Sequence, residues 1–126
     1  MKTLIITTNV ARRLQYGEEL EQRVIMTADG HVYFTAISIE EGQEVLKRKE
    51  EITVAKQDAN ALIDETVKQF AGEQWSMMPR LGTFNVVYIK EDGQVENFYG
   101  SMTGVHSDLT KRFLNVLNIK DLYLFG

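Results

Sequence analysis

The stretch Val24-Ile25-Met26-Thr27-Ala28-Asp29-Gly30-His31-Val32-Tyr33-Phe34-Thr35-Ala36 decides the fold class. Two runs rich in β-branched and aromatic residues flank Asp-Gly, which supplies the positive-φ residue that a tight hairpin needs. The same signal recurs at Asp92-Gly93, between Phe84-Asn85-Val86-Val87-Tyr88-Ile89 and Val95-Glu96-Asn97-Phe98-Tyr99. An amphipathic helical pattern follows downstream of each hairpin, so antiparallel strands and helices share the chain.

A two-residue loop at Asp29-Gly30 sets Met26 opposite Tyr33, Ile25 opposite Phe34 and Val24 opposite Thr35, whereas a type I turn with a glycine bulge shifts that register by one. In the two-residue register Val24, Met26, Tyr33, Ile37 and Ile39 share one face, and Ile25, Val32, Phe34 and Ala36 the other. The second hairpin divides likewise, with Val87, Ile89, Phe98 and Met102 on one face and Phe84, Val86, Tyr88, Val95 and Tyr99 on the other. Both faces are then apolar, and one layer of helices does not cover both. The expectation is helices on both faces, a sheet wrapped on itself, or a second copy of the chain.

Lys2 to Val10 reads as a strand, followed by a polar stretch through Arg12, Arg13 and Tyr16-Gly17. Glu40-Glu41-Gly42 marks a turn, and Val45 to Val54 reads as an edge strand, because the run Lys47-Arg48-Lys49-Glu50-Glu51 discourages pairing with other chains; the alternative is a solvated loop. From Ala55 to Ala71, Ala59, Leu62, Ile63, Thr66, Val67 and Phe70 recur at helical spacing. Asp58 favours the start of that helix, Asp64 and Lys68 are spaced for an ion pair, and Gly72 suits its C-terminal cap. A second helix is predicted from Ser107-Asp108, as caps, to about Leu117, with Leu109, Phe113, Val116 and Leu117 inward. Asp121-Leu122-Tyr123-Leu124-Phe125 is too apolar for a free tail and should dock as a short strand or packed arm. The match of Asp29-Gly30-His31-Val32 to Asp92-Gly93-Gln94-Val95 raises a repeated ββα unit, against the alternative of two unrelated hairpins. The predicted fold is a single α+β domain over residues 1–126, an antiparallel, hairpin-rich sheet of about five to seven strands with two helices.

Composition narrows the chemistry. Fourteen Lys and Arg against eighteen Asp and Glu give a net charge of −4, and the basic residues cluster only at Arg12-Arg13 and Lys47-Arg48-Lys49. A nucleic-acid binder normally carries a basic stripe, so nucleic acid is not an expected partner. With no cysteine there is no disulfide, thiolate zinc site or thiol nucleophile, and a reducing compartment fits. The apolar run near Leu4-Ile5-Ile6 is too short for a signal segment, and no stretch approaches the roughly 20 apolar residues of a membrane span. The expectation is a soluble, cytoplasmic protein without membrane contact.

The segment Gly100-Ser101-Met102-Thr103-Gly104-Val105-His106-Ser107-Asp108 leads from a strand into a helix N-terminus, where free amides favour an anion. His106, Ser107 and Asp108 are therefore the candidate ligand-binding residues. The segment lacks the spacing of a Walker or dinucleotide motif, Ser101 and Ser107 lie in no nucleophile elbow, and no third ligand accompanies His106 and Asp108 for a metal. No catalytic residue, metal or cofactor is assigned, and the bland reading of this segment is an ordinary helix cap. His31, directly after a turn, reads as a solvated hairpin residue. Glu18-Glu19, Glu40-Glu41 and Glu50-Glu51 read as solvated surface, since neighbours on a strand point to opposite faces. Trp75, Met77, Met78 and Arg80 are candidate interface residues, because Trp, Met and Arg are enriched in interface cores; the alternative places them across the end of the core.

Asp29-Gly30-His31-Val32-Tyr33-Phe34, Phe98-Tyr99-Gly100-Ser101-Met102 and the ending from Leu109 through Asp121-Leu122-Tyr123-Leu124-Phe125 resemble small bacterial proteins of unknown function. That resemblance implies a bacterial source and attaches no activity. The sequence favours a non-enzymatic interaction or binding module that self-associates as a homodimer and has room for a protein partner. The rival is a small-molecule-binding protein or enzyme with its site near residues 100–108.

Overall fold

The structure is a computed structural model that describes residues 1–10, 18–71, 82–104 and 106–125. Its elements run β1 (Thr3–Asn9), β2 (Glu21–Thr27), β3 (His31–Glu40), β4 (Gln43–Thr53), α1 (Lys56–Phe70), β5 (Thr83–Ile89), β6 (Val95–Ser101) and α2 (Ser107–Leu117). The strands form one antiparallel sheet in the order β4-β3-β2-β1-β5-β6. This is an α+β fold. No helix among the described residues is long and apolar enough to cross a membrane.

The two Asp-Gly hairpins close with the same three-residue turn. Gly30 N–H donates to Thr27 O (3.0 Å) and Gly93 N–H to Lys90 O (3.0 Å), with φ of +93° and +89° at the two glycines. Asp29 Oδ1 accepts from His31 N–H (3.1 Å) and from the Thr27 hydroxyl, while Asp92 Oδ1 accepts from Gln94 N–H (3.0 Å). The Thr27 and His31 hydrogen bonds hold the Asp29 carboxyl below the ordinary carboxylate range. This is the type I turn with a glycine bulge, so the two-residue register is corrected by one position. Met26 pairs with Val32, Ile25 with Tyr33 and Val24 with Phe34.

That single step changes the faces. Val24, Met26, Val32, Phe34 and Ala36 lie together and buried, whereas Ile25, Tyr33 and Ile37 lie on the other side. In the second hairpin Phe98 moves to the face of Phe84 and Val86, and Val95 and Tyr99 join Val87 and Ile89. The sheet therefore has one core face and one face that, among the described residues, no helix covers; that open face still carries apolar side chains, so what the register corrects is which residues share each face. A one-residue slip inverts every side chain beyond the turn.

Both helices pack on the core face with inward Ala59, Leu62, Ile63, Thr66 and Phe70 from α1 and Leu109, Thr110, Phe113 and Leu117 from α2. Val67 and Val116 are half-buried. Asp64 pairs with Lys2 Nζ across the fold (3.0 Å), in place of the expected intrahelical pair with Lys68. Ala71 is the C-cap of α1, and Gly72 lies outside the described residues, as does the stretch of Arg12, Arg13, Tyr16 and Gly17.

The C-terminal segment is a packed arm. Leu122, Leu124 and Phe125 are buried, and side chains from the sheet's core face hold the arm's main chain. Thr8 Oγ1 donates to Leu124 O (2.7 Å), and Gln22 Nε2 donates to Asp121 O (2.7 Å) while its Oε1 accepts from Tyr123 N–H (2.9 Å). Phe125 N–H reaches Thr110 Oγ1 (3.3 Å). Satisfied in this way, buried Thr8 and Gln22 carry no desolvation penalty for an unpaired group. Phe125 then fills a cluster with Phe70 (5.2 Å), Phe84 (5.2 Å) and Phe113 (6.1 Å between centroids).

Candidate functional site

Two features stand out: a polar cleft between the helices and the open face of the sheet. The cleft has a volume of about 560 Å³ and is lined by Glu65, Lys68 and Gln69 of α1, by Asp108, Leu109 and Arg112 of α2, and by His106. Helical spacing explains the set, since residues three and four apart share a face. Arg112 Nη1 and Glu65 Oε2 close to 2.6 Å between the helices. The same two residues border a second, more apolar groove of about 230 Å³ toward Asp58, Ala61 and Val116.

His106 occupies the N-cap position of α2 and is buried, with its ring edge-on to Phe70 (4.9 Å) and Phe84 (6.2 Å). Its Nδ1 lies 3.0 Å from Gln69 Nε2, so the amide donates to the ring. Among the described residues no side chain caps α2, which corrects the capping role expected of Ser107 and Asp108. Of the three candidate ligand residues, His106 and Asp108 line the cleft, and Ser107 is not among the lining residues. Sequence reasoning missed Glu65, Lys68, Gln69 and Arg112, although the polar stripe opposite the apolar face of α1 was the signal for three of them. Among the described residues no group of three His, Asp or Glu side chains comes together to hold a metal.

His31 is half-buried at the start of β3, 4.6 Å from the Tyr33 ring, and its Nε2 has no hydrogen-bond partner among the described residues. It lies on the open face. Trp75, Met77, Met78 and Arg80 fall outside the described residues.

The run Lys47-Arg48-Lys49 is not uniformly solvated. Arg48 pairs with Ala36 on the core face, where its guanidinium sits 4.9 Å from the Phe34 ring centroid and donates to both Glu19 carboxylate oxygens (2.6 and 2.8 Å) and to Lys120 O (2.6 Å). Partial burial works to raise the Glu19 carboxyl, but the hydrogen bonds from Arg48 and Gln22 and the Arg48 charge outweigh it and hold it below its ordinary value. Arg48 is raised in turn, first by that hydrogen bond. This cluster fastens the region before β2 and the arm's approach to the sheet, a structural role for a planar, bidentate donor.

The open face carries Ile5, Ile25, Tyr33, Ile37 and Val87 in adjacent strands, with Ile25 beside Tyr33 and Ile5, and Ile5 beside Val87. Both described helices lie on the opposite side. Tyr33 is 40% exposed, Leu46 56% and Tyr99 56%. No protein-family model matches the chain, and no curated protein matches it.

Proposed function

We propose that the protein is a non-enzymatic module that self-associates, with the open face of the sheet as its contact surface. The observation that carries this reading is the apolar row Tyr33, Ile25, Ile5 and Val87 on the side opposite both helices. Contiguous apolar surface of several hundred Å² marks an interaction site. Six strands about 4.8 Å apart and about seven residues long, at about 3.3 Å per residue, present a face on the order of 700 Å². Two such faces related by a two-fold axis pack as a sheet sandwich about 10 Å thick. A second copy, rather than a different protein, is the occupant that needs nothing beyond this chain. A bacterial, cytoplasmic setting accords with the resemblance given above and with the cysteine-free composition.

Light scattering at micromolar concentration should give at least twice the 14.4 kDa chain mass. Tyr33→Lys, which places a charge at a half-exposed position opposite Glu51, should lower that mass while leaving the fold intact. A wild-type monomer across the micromolar range refutes the proposal.

The cleft supports a second reading, a small-molecule site, because its volume lies within the roughly 300–1,000 Å³ of ligand pockets. A small polar compound that shifts the NMR signals of His106, Gln69 and Arg112 together would favour it.

A further inference from the structure

The two edges of the sheet differ. β4 carries Lys47, Arg48, Lys49, Glu50 and Glu51 and an irregularity in its pairing opposite Ala36 and Ile37, devices that keep an edge from pairing with other chains. β6 has neither. Its one charged residue, Glu96, is held by Lys90 Nζ across the hairpin (2.7 Å). Among the described residues no strand lies beyond it.

The direction of its main-chain groups follows from the ladder. Lys90 N–H donates to Gln94 O (2.8 Å) and Met102 N–H to Gly82 O (3.0 Å). Bonded pairs alternate in an antiparallel ladder, so Glu96, Phe98 and Gly100 bond to β5, while the N–H and C=O groups of Val95, Asn97 and Tyr99 point away from it. The side chains of these three are exposed, Val95 at 61% and Tyr99 at 56%.

We infer that the β6 edge is an isologous pairing site for β6 of a second copy, antiparallel about a two-fold axis at Asn97. In that register Asn97 meets the partner's Asn97, and Val95 meets the partner's Tyr99 on either side, each pair exchanging two main-chain hydrogen bonds. On the open face the pairing sets a β-branched side chain against an aromatic one, a favourable cross-strand combination. On the core face Glu96 meets the partner's Phe98, so no like charges are opposed. The occupant is a second copy because the strand is complementary to itself in this register, which a two-fold interface requires. This contact is separate from the open-face contact and does not depend on it. With the two axes intersecting at right angles, the two contacts close a tetramer.

Asn97→Pro tests the edge, because proline is tolerated where the N–H faces outward and the β5 ladder does not use that group. The variant should have half the wild-type mass by light scattering, with unchanged circular dichroism. In the wild type, amide exchange at Val95, Asn97 and Tyr99 should be at least about tenfold slower than in an open edge, and dilution should abolish the protection. Unchanged mass in a folded Asn97→Pro, or open-edge exchange at those amides, overturns the inference. Should Asn97→Pro fail to fold, the wild-type exchange pattern decides alone. Mass lost only in Tyr33→Lys sinks the edge and keeps the face, mass lost only in Asn97→Pro sinks the face and keeps the edge, and halving by each supports both.

Discussion

Gly30 and Gly93 occupy equivalent positions in equivalent turns, with φ of +93° and +89°, yet they should respond differently to the same substitution. At Gly93 a Cβ meets nothing within 4 Å. Gly93→Ala therefore carries only the conformational cost of an L residue at positive φ, about 1–2 kcal/mol. At Gly30 the Cβ would overlap the Val54 carbonyl oxygen and stand 3.2 Å from its carbon. Backbone offers no rotamer to relieve this, so the β4 end must move away from β3. Gly30 O accepts from Val54 N–H (2.8 Å), and losing that bond adds about 1 kcal/mol. With the displaced packing of half-buried Ile52 and Val54, Gly30→Ala should cost about 3–4 kcal/mol in all, roughly twice the Gly93 value. Denaturant titrations fitted with a shared slope give the difference directly, and melting temperatures should fall by about 3–5 °C per kcal/mol for a chain of this size. Equal costs at the two glycines would refute the contact argument. No cost at either would refute the turn assignment itself.

Phe70→Ala and Phe113→Ala should each cost about 3–5 kcal/mol, because both rings are fully buried against Phe125 and leave a cavity; a cost below about 1 kcal/mol in denaturant titration would contradict the packing. Arg48→Met, which keeps the stem over Phe34 and removes the charge, should cost about 1–3 kcal/mol at neutral pH. The folded Glu19 carboxyl lies below its unfolded value, about 4.5, so its contribution is complete above that ordinary glutamate value and is lost as pH falls through the lower folded value. The gap between wild type and Arg48→Met should hold from neutrality to about pH 5 and narrow below about pH 4; a gap that widens in acid would reverse the assignment.

Much of the candidate cleft was legible in part. His106 and Asp108 were visible as a histidine and an acid at a strand-to-helix junction, but Arg112 and Glu65 meet only because α1 and α2 pack side by side, and nothing local encodes that. Gln69 looked like solvated helix surface, yet it holds a buried ring.

The sequence by itself determined the hairpins, the two helices and their inward faces, and the apolar end of the chain. These depend on φ preferences and on periodicities of 2 and 3.6 residues, which act between near neighbours. Tertiary structure decided the rest. The position of β1 between β2 and β5 is a pairing of distant segments that no local pattern specifies. The turn residues Asp-Gly fit either of two registers, and burial selected the one that gathers Met26, Val32, Phe34 and Phe98 under the helices. Thr8, Gln22 and Arg48 look like surface residues in the sequence, and they became anchors because the arm brings main-chain groups to them that would otherwise be buried without partners. The open face follows from the same choice, since the register that completes the core leaves Ile5, Ile25, Tyr33 and Val87 on the far side of the sheet.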